Sequence, residues 1–250
     1  MSYFPNNLEK LPIIDLEKLD AVFLDLDDTI VDYRNSCIVG LAQVRKVVPA
    51  LSSVDVGTME QEFREILRDN LPRLFDGELT VEEERKSRMN EILSRHQVDV
   101  SQETLERCDN AFLDGFWNAR SVMDGADSIL ELFRSIDLPV VIITNGNFEM
   151  QKRTLEMLDL DKNVHSLLAP TNSLEMKPNP GLFEKAISIT GADKSRSIMI
   201  GDTWQHDILG AINAGITPVW INRRMVSRPD DLDVLEIKSL QDLFHFNNRS

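Results

Sequence analysis

Short apolar runs, each the length of one buried strand, alternate with helical segments through the second half of this chain. Leu138–Ile143, Ser197–Ile200 and Thr217–Ile221 are such runs, and His165–Ala169 is a weaker one. Ser128–Ser135, Asn147–Leu158, a segment opened by Asn179 and Pro180 and ended by Gly191, and Gln205–Ala214 closed by Gly215 carry the helical signals. Apolar runs of that length, bounded by turn residues, suit strands covered on both faces. Asn at the cap, Pro at the first helical position and Gly past the end suit a helix. Strands that alternate with helices pair in parallel, because a parallel neighbour is reached only through a crossover. The expected fold is therefore α/β, a doubly wound parallel sheet.

One earlier strand belongs to the same sheet. In Ala21-Val-Phe-Leu-Asp25-Leu-Asp27-Asp28-Thr29 an apolar run is followed by three carboxylates and a hydroxyl within five residues. A strand at 21–26 would deliver this acidic tip to its C-terminal edge, where open α/β sheets bind ligands. Carboxylates so close together repel one another and resist burial unless a cation neutralises them. A divalent metal answers that requirement.

From about Tyr33 to about Arg120 the apolar period becomes helical. Asn35 or Ser36 is the expected cap of a segment carrying Ile38, Leu41, Val44, Val47 and Val48 and ended by Pro49. Thr58–Gln61 and Thr80–Glu83 have the spacing of capping boxes, and a further helix runs from about Gln102 to Trp117. This block separates the first strand from the rest of the sheet and begins just after the acidic tip. The expected division is a core of residues 1–32 and 121–250 with an all-helical cap, 33–120, over the ligand edge. Residues 5–19 are expected to form a short amphipathic lead-in that packs through Leu8, Leu11, Ile14 and Leu16.

Composition narrows the partners. No run approaches the roughly 18 apolar residues of a membrane span. The first residues lack the basic-then-apolar order of a secretory signal. With only Cys37 and Cys108, a disulfide framework is not expected, and the reading is cytoplasmic. The formal charge of −15 argues against a nucleic-acid polymer or an anionic membrane as partner. It leaves room for a small phosphorylated metabolite, because a metal and one placed Lys can dominate the local field. Monomer and homodimer both stay open.

Three more strand ends carry polar groups. Thr144-Asn145-Gly146 offers a hydroxyl and backbone N–H groups in a turn before a helix, a natural phosphate cradle. Met176-Lys177-Pro178-Asn179-Pro180 fixes a Lys in a loop stiffened by two prolines. Ile200-Gly201-Asp202 and, five residues on, Asp207 place two further carboxylates after a strand and into a helix start. Asp207 alone would suit the helix dipole, but that does not account for Asp202.

Taken in order, these motifs resemble the haloacid dehalogenase superfamily. Asp25-Leu26-Asp27-Asp28-Thr29 is similar to its Asp-x-Asp-x-Thr motif, Thr144 to its strand-ending hydroxyl, Lys177-Pro178 to its lysine motif, and Gly201-Asp202 with Asp207 to its acidic motif. The likeness spans about residues 20–245. It implies a Rossmann-like core, and the helical insert resembles the family's first cap type. Ile143-Thr-Asn-Gly-Asn147 and the stretch from Gly201 to Gly215 resemble pyrimidine-type nucleoside 5′-monophosphatases and N-acylneuraminate-9-phosphatases.

The resemblance implies a Mg²⁺-dependent phosphomonoester hydrolase. Asp25 would be the nucleophile and would form an aspartyl-phosphate. Asp27 would be the general acid and then the base. Mg²⁺ would be held by Asp25, the backbone carbonyl of Asp27 and Asp202. Asp207 either joins that set or orients a metal-bound water or Lys177. Thr144, Asn145 and Lys177 would hold the phosphoryl oxygens. Dehalogenases of the superfamily lack an acid two positions after the nucleophile, so Asp27 favours phosphate-ester cleavage. The expected substrate is a nucleoside 5′-monophosphate. A sugar-phosphate phosphatase, a phosphomutase and, more remotely, a non-catalytic binding protein are the alternatives.

The remaining residues take plainer readings. Asp28 is expected to be a local hydrogen-bond acceptor, and His206 to face solvent. His96, His165 and His245 have no ligand spacing. Phe116 and Trp117 are expected to pack between helices, and Arg34 either reaches a substrate or balances the acidic loop.

Overall fold

The structure is a computed structural model that describes residues 14–246. Leu8 and Leu11 of the expected lead-in lie outside the described residues. The chain enters the sheet at β1 (Ala21–Leu24) and leaves it at once for four helices: α1 (Tyr33–Val47), α2 (Val56–Phe75), α3 (Val81–Arg95) and α4 (Gln102–Asn118). It then alternates: α5 (Ala126–Ser135), β2 (Val140–Ile143), α6 (Phe148–Met157), β3 (Ser166–Leu168), α7 (Gly181–Thr190), β4 (Ser197–Gly201), α8 (Leu209–Ala214), β5 (Thr217–Ile221) and β6 (Leu235–Ile237).

The six strands form one sheet in the order β3-β2-β1-β4-β5-β6. All pairings are parallel, and Val22 of β1 lies opposite Val140 of β2 and Ile198 of β4. The order runs outward in both directions from β1, so the topological switch lies between β1 and β4. Open α/β sheets form their ligand crevice at that point.

The sequence of β1 is continuously apolar because both faces are covered. Val22 and Leu24 point into one layer with Ile129, Leu130 and Phe133 of α5. Ala21 and Phe23 point into the other, with Leu182 and Phe183 of α7 and Ala211 of α8. The four inserted helices close a separate core, which includes Leu41, Met59, Phe63, Ile92 and Phe112. Cys37 and Cys108 are buried free thiols there, and burial pushes the Cys37 thiol up to about 12. The insert leaves and re-enters the sheet at one place: Val31 bridges Val122 antiparallel, and the Asp32 N–H donates to the Ser121 carbonyl at 3.0 Å. Among the described residues no helix is long and apolar enough to cross a membrane.

Several helix starts differ from expectation. Neither Asn35 nor Ser36 caps α1; the Asp32 carboxylate does, accepting from the Asn35 N–H at 2.9 Å. Likewise Asp55, not Thr58, caps α2, accepting from the Thr58 N–H at 2.8 Å. In both cases an acid three residues upstream satisfies the same orphan donor and also complements the helix dipole. The Thr80–Glu83 capping box forms as expected. Asn179 makes no cap on α7; Pro180, already at a helical φ of −71°, occupies the boundary position. The segment 205–214 begins with one π-helical turn, Trp204–Ile208, before α8. Strand β6 has no counterpart in the sequence reading, since three edge residues with two apolar positions carry too little pattern.

Candidate active site

Parallel register brings the ends of β1, β2 and β4 side by side, and with them Asp25, Thr144 and Asp202. Lys177, from the loop before α7, ties them together. Its Nζ donates to Asp25 Oδ1 at 2.7 Å, to Asp207 Oδ1 at 2.6 Å and to the Ile143 carbonyl at 2.6 Å. All three ammonium protons are thus matched, and the residue is only 3% exposed. Asn145 holds the loop that carries this Lys: its Oδ1 accepts from the Lys177 N–H at 2.8 Å and its Nδ2 donates to the Lys177 carbonyl at 2.9 Å. The Asn145 side chain therefore serves the lysine loop, while the contribution expected from the sequence was its backbone N–H.

One carboxylate oxygen from each of Asp25, Asp202 and Asp207 lies within 4.8 Å of the other two. Burial raises the pKa of Asp25 well above the usual carboxylate range, against the pull of Lys177. Burial, aided by the charges of Asp207 and Asp28, pushes Asp202 up to about 7. Burial also works against the charge of Lys177, but Asp207 and Asp25 override it and raise its pKa. One ammonium facing three clustered carboxylates leaves the site short of positive charge. A hard divalent cation with oxygen ligands fits that donor set. Both Asp207 oxygens are engaged by the protein, Oδ1 by Lys177 and Oδ2 by the Thr203 N–H at 3.0 Å. Gly201 permits this approach, because a Cβ there would overlap the Asp207 carboxyl. Asp28 stays outside the cluster, accepting from the Arg34 N–H at 2.8 Å and pairing with Arg224 at 3.3 Å.

Asp27 also stands apart from the cluster. Its Oδ2 accepts from Gln151 Nε2 at 2.5 Å, and its Oδ1 faces Arg120 Nη2 at 3.4 Å. The same Gln151 amide lies 3.3 Å from Thr144 Oγ1. The sequence reading named neither partner. Gln151 follows the Thr144 turn by one helical turn of α6, and Arg120 marks the expected end of the insert. Those positions are the only signals the sequence offered, since the contacts span 124 and 93 residues.

Above these groups is a cavity of about 620 Å³, walled by the core on one side and by the inserted helices on the other. Tyr33, Phe112, Phe116 and Arg88 line its helical wall. Arg88 is buried, stacks over Phe63 at 3.9 Å and pairs with Glu84 at 3.3 Å. Phe116 packs against Phe112 and Tyr33 within the helical core, as expected. Trp117 stacks on Arg153, whose guanidinium is 4.0 Å from its ring centre. Arg34 balances charge, pairing with Glu60 at 3.0 Å. His206, expected to face solvent, is instead half-buried in the cavity wall, and burial lowers its pKa. His96 pairs with Glu62 at 2.9 Å, and the side chain of His245 lies outside the described residues.

Known proteins resemble this chain in sequence and in fold. Pyrimidine 5′-nucleotidase YjjG of Escherichia coli (strain K12) is 27% identical over 231 residues, which cover 90% of this chain and 96% of the relative. N-acylneuraminate-9-phosphatase of Mus musculus is 24% identical over 83% of this chain and 84% of its own length. The magnesium-bound crystal structure of the HAD-hydrolase YfnB from Bacillus subtilis has the same fold, with a TM-score of 0.71 at 21% identity over 91% of this chain and 98% of that one. The model of the haloacid dehalogenase-like hydrolases matches residues 19–215. With most of its length inside that match, this chain belongs to the haloacid dehalogenase-like hydrolases.

Proposed function

We propose that this enzyme is a Mg²⁺-dependent phosphomonoesterase whose substrate is a nucleoside 5′-monophosphate. The observation that carries the chemistry is the division of the carboxylates. Asp25 sits in the charged cluster beside Lys177, whereas Asp27 is held apart by Gln151 at 2.5 Å, where it can exchange a proton. An Asp25 oxygen attacks phosphorus as the ester P–O bond breaks. The bonding pair leaves on the alcohol oxygen, which takes a proton from the Asp27 carboxyl. Water then attacks the aspartyl-phosphate, Asp27 takes its proton, and the Asp25 oxygen departs from phosphorus to regenerate the carboxylate. Thr144 and the Asn145 N–H hold the phosphoryl oxygens through both displacements, and the buried charge of Lys177 offsets theirs. Mg²⁺ would be held by Asp25, Asp202 and the Asp27 backbone carbonyl, with Asp207 at its margin, and would supply positive charge opposite those oxygens. The helical insert acts as a cap that shields the reaction from bulk water.

The nucleotide preference rests on the match to a pyrimidine 5′-nucleotidase over nearly the whole chain. It also rests on a cavity far larger than a phosphate, with an aromatic helical wall. The similarity to N-acylneuraminate-9-phosphatase keeps a sugar phosphate as the second reading. A panel of dUMP, dTMP, UMP, sugar phosphates and N-acetylneuraminate-9-phosphate tests both. The expected result is preferential phosphate release from a pyrimidine nucleotide, lost in EDTA and restored by Mg²⁺. Turnover that persists in EDTA sinks the metal-dependent mechanism. Equal, weak turnover of every ester sinks the nucleotide assignment.

A further inference from the structure

Gln151 and Arg120 lie beyond the four motifs, yet both point at one carboxyl group. Gln151 is 3% exposed and donates to Asp27 Oδ2 at 2.5 Å, with the Thr144 hydroxyl 3.3 Å from the same nitrogen. Its own Oε1 has no partner among the described residues. A buried amide left half-matched is costly, so packing alone does not favour Gln here. Gly146 makes room for it: a Cβ at that position would overlap the Gln151 amide. The turn of the phosphate cradle is thus shaped around this side chain.

Arg120 approaches from the other side. Its Nη2 donates to Thr154 Oγ1 at 2.9 Å and faces Asp27 Oδ1 at 3.4 Å, while Nε and Nη1 are buried without partners among the described residues. The guanidinium is clasped by aromatic rings from both ends of the insert, 4.8 Å from the centre of Phe116 and 5.5 Å from that of Tyr33. A buried cation with two donors unmatched among the described residues, held beside a carboxyl by neighbouring aromatic rings, is placed to orient that carboxyl.

We infer that Gln151 and Arg120 are positioning residues for proton transfer: together they fix the plane of the Asp27 carboxyl and its distance from the departing alcohol oxygen. This rests on the reading of Asp27 as the proton donor. Gln151 couples that donor to the phosphate cradle through Thr144. Arg120 couples it to the return of the chain from the helical insert.

Leaving-group dependence tests the inference, because a nitrophenolate departs with little help from an acid and an alkoxide does not. The quantity to compare is kcat/KM, which reports the steps through departure of the alcohol. The two substrates are p-nitrophenyl phosphate and the best alkyl phosphate from the panel above. Gln151→Met and Arg120→Met should each lose about 30-fold on the alkyl ester and only about threefold on the aryl ester, a tenfold shift in the ratio. Arg120→Lys should recover part of that shift. Equal losses on both esters, or wild-type ratios, overturn the inference. Asp27→Asn is the reference arm. If it shifts the ratio and the Gln151 and Arg120 variants do not, only the inference fails. If it loses both esters equally, the reading of Asp27 fails and takes the inference with it. Thermal melting of each variant separates these outcomes from misfolding, and Gln151→Met carries the test if Arg120→Met does not fold.

Discussion

Asp25→Asn is expected to lower kcat/KM by at least about 10⁴-fold while the protein stays folded. An amide has no charged oxygen with which to attack phosphorus, and loss of a covalent nucleophile removes most of an enzyme's advantage over solution. The fold has little reason to suffer. Asn keeps the size and an oxygen for Lys177, which is 2.7 Å from Asp25 Oδ1. It also removes one charge from a cluster in which burial already disfavours the ionised form. Phosphate release and thermal melting, measured side by side, check both halves. Residual turnover within about tenfold of wild type would remove Asp25 as the nucleophile.

Lys177→Met should damage stability and activity together. The ammonium is matched by Asp25, Asp207 and the Ile143 carbonyl, and it is buried. Its removal leaves two adjacent buried carboxylates without a counter-charge. Breaking a buried ion pair from one side costs about 3–5 kcal/mol, which for a chain of this size corresponds to a fall in Tm of roughly 10 °C. The phosphoryl oxygens also lose the nearby positive charge that offsets theirs, for which about a 10²–10³-fold loss in kcat is expected. Millimolar Mg²⁺ should recover part of the melting loss, since a cation bound only by the native cluster shifts the folding equilibrium. A variant that melts like wild type without metal would show that Lys177 is not neutralising the cluster. The contrast between the two variants is informative. The same ion pair is approached from opposite ends, and only the removal of the cation should destabilise the fold.

The sheet was legible because each core strand is a run of apolar residues with neighbours on both faces, as Phe23 and Leu24 illustrate. The charged centre was legible because Asp25, Thr144 and Asp202 sit directly after those strands, Lys177 lies in a proline-flanked loop and Asp207 follows Asp202 by five residues. Asp25, Thr144, Lys177, Asp202 and Asp207 all meet where the sequence placed them. The caps were less legible, since Asp32 and Asp55 compete with nearby Asn, Ser and Thr for the same donor, and local sequence does not decide which wins. Gln151 and Arg120 were not legible at all. A Gln in a helix and an Arg at the end of an insert are ordinary residues until the fold closes contacts of 124 and 93 residues around Asp27.

The bridge between Val31 and Val122 brings the entry and exit of the helical insert together on the core itself. Because the core already holds those two ends in place, the length and content of the chain between them is weakly constrained by loop closure. Everything from residue 33 to 118 is therefore exchangeable in principle, in the way a tool head is changed on a fixed handle. On the proposed reading of the insert as a cap, such an exchange would alter the molecule accepted without rebuilding the groups that break the bond. Arg120 is the exception, since it is gripped by rings from the insert while it touches a carboxyl of the core. An exchanged insert that fails to clasp this arginine would keep its docking yet lose part of its rate.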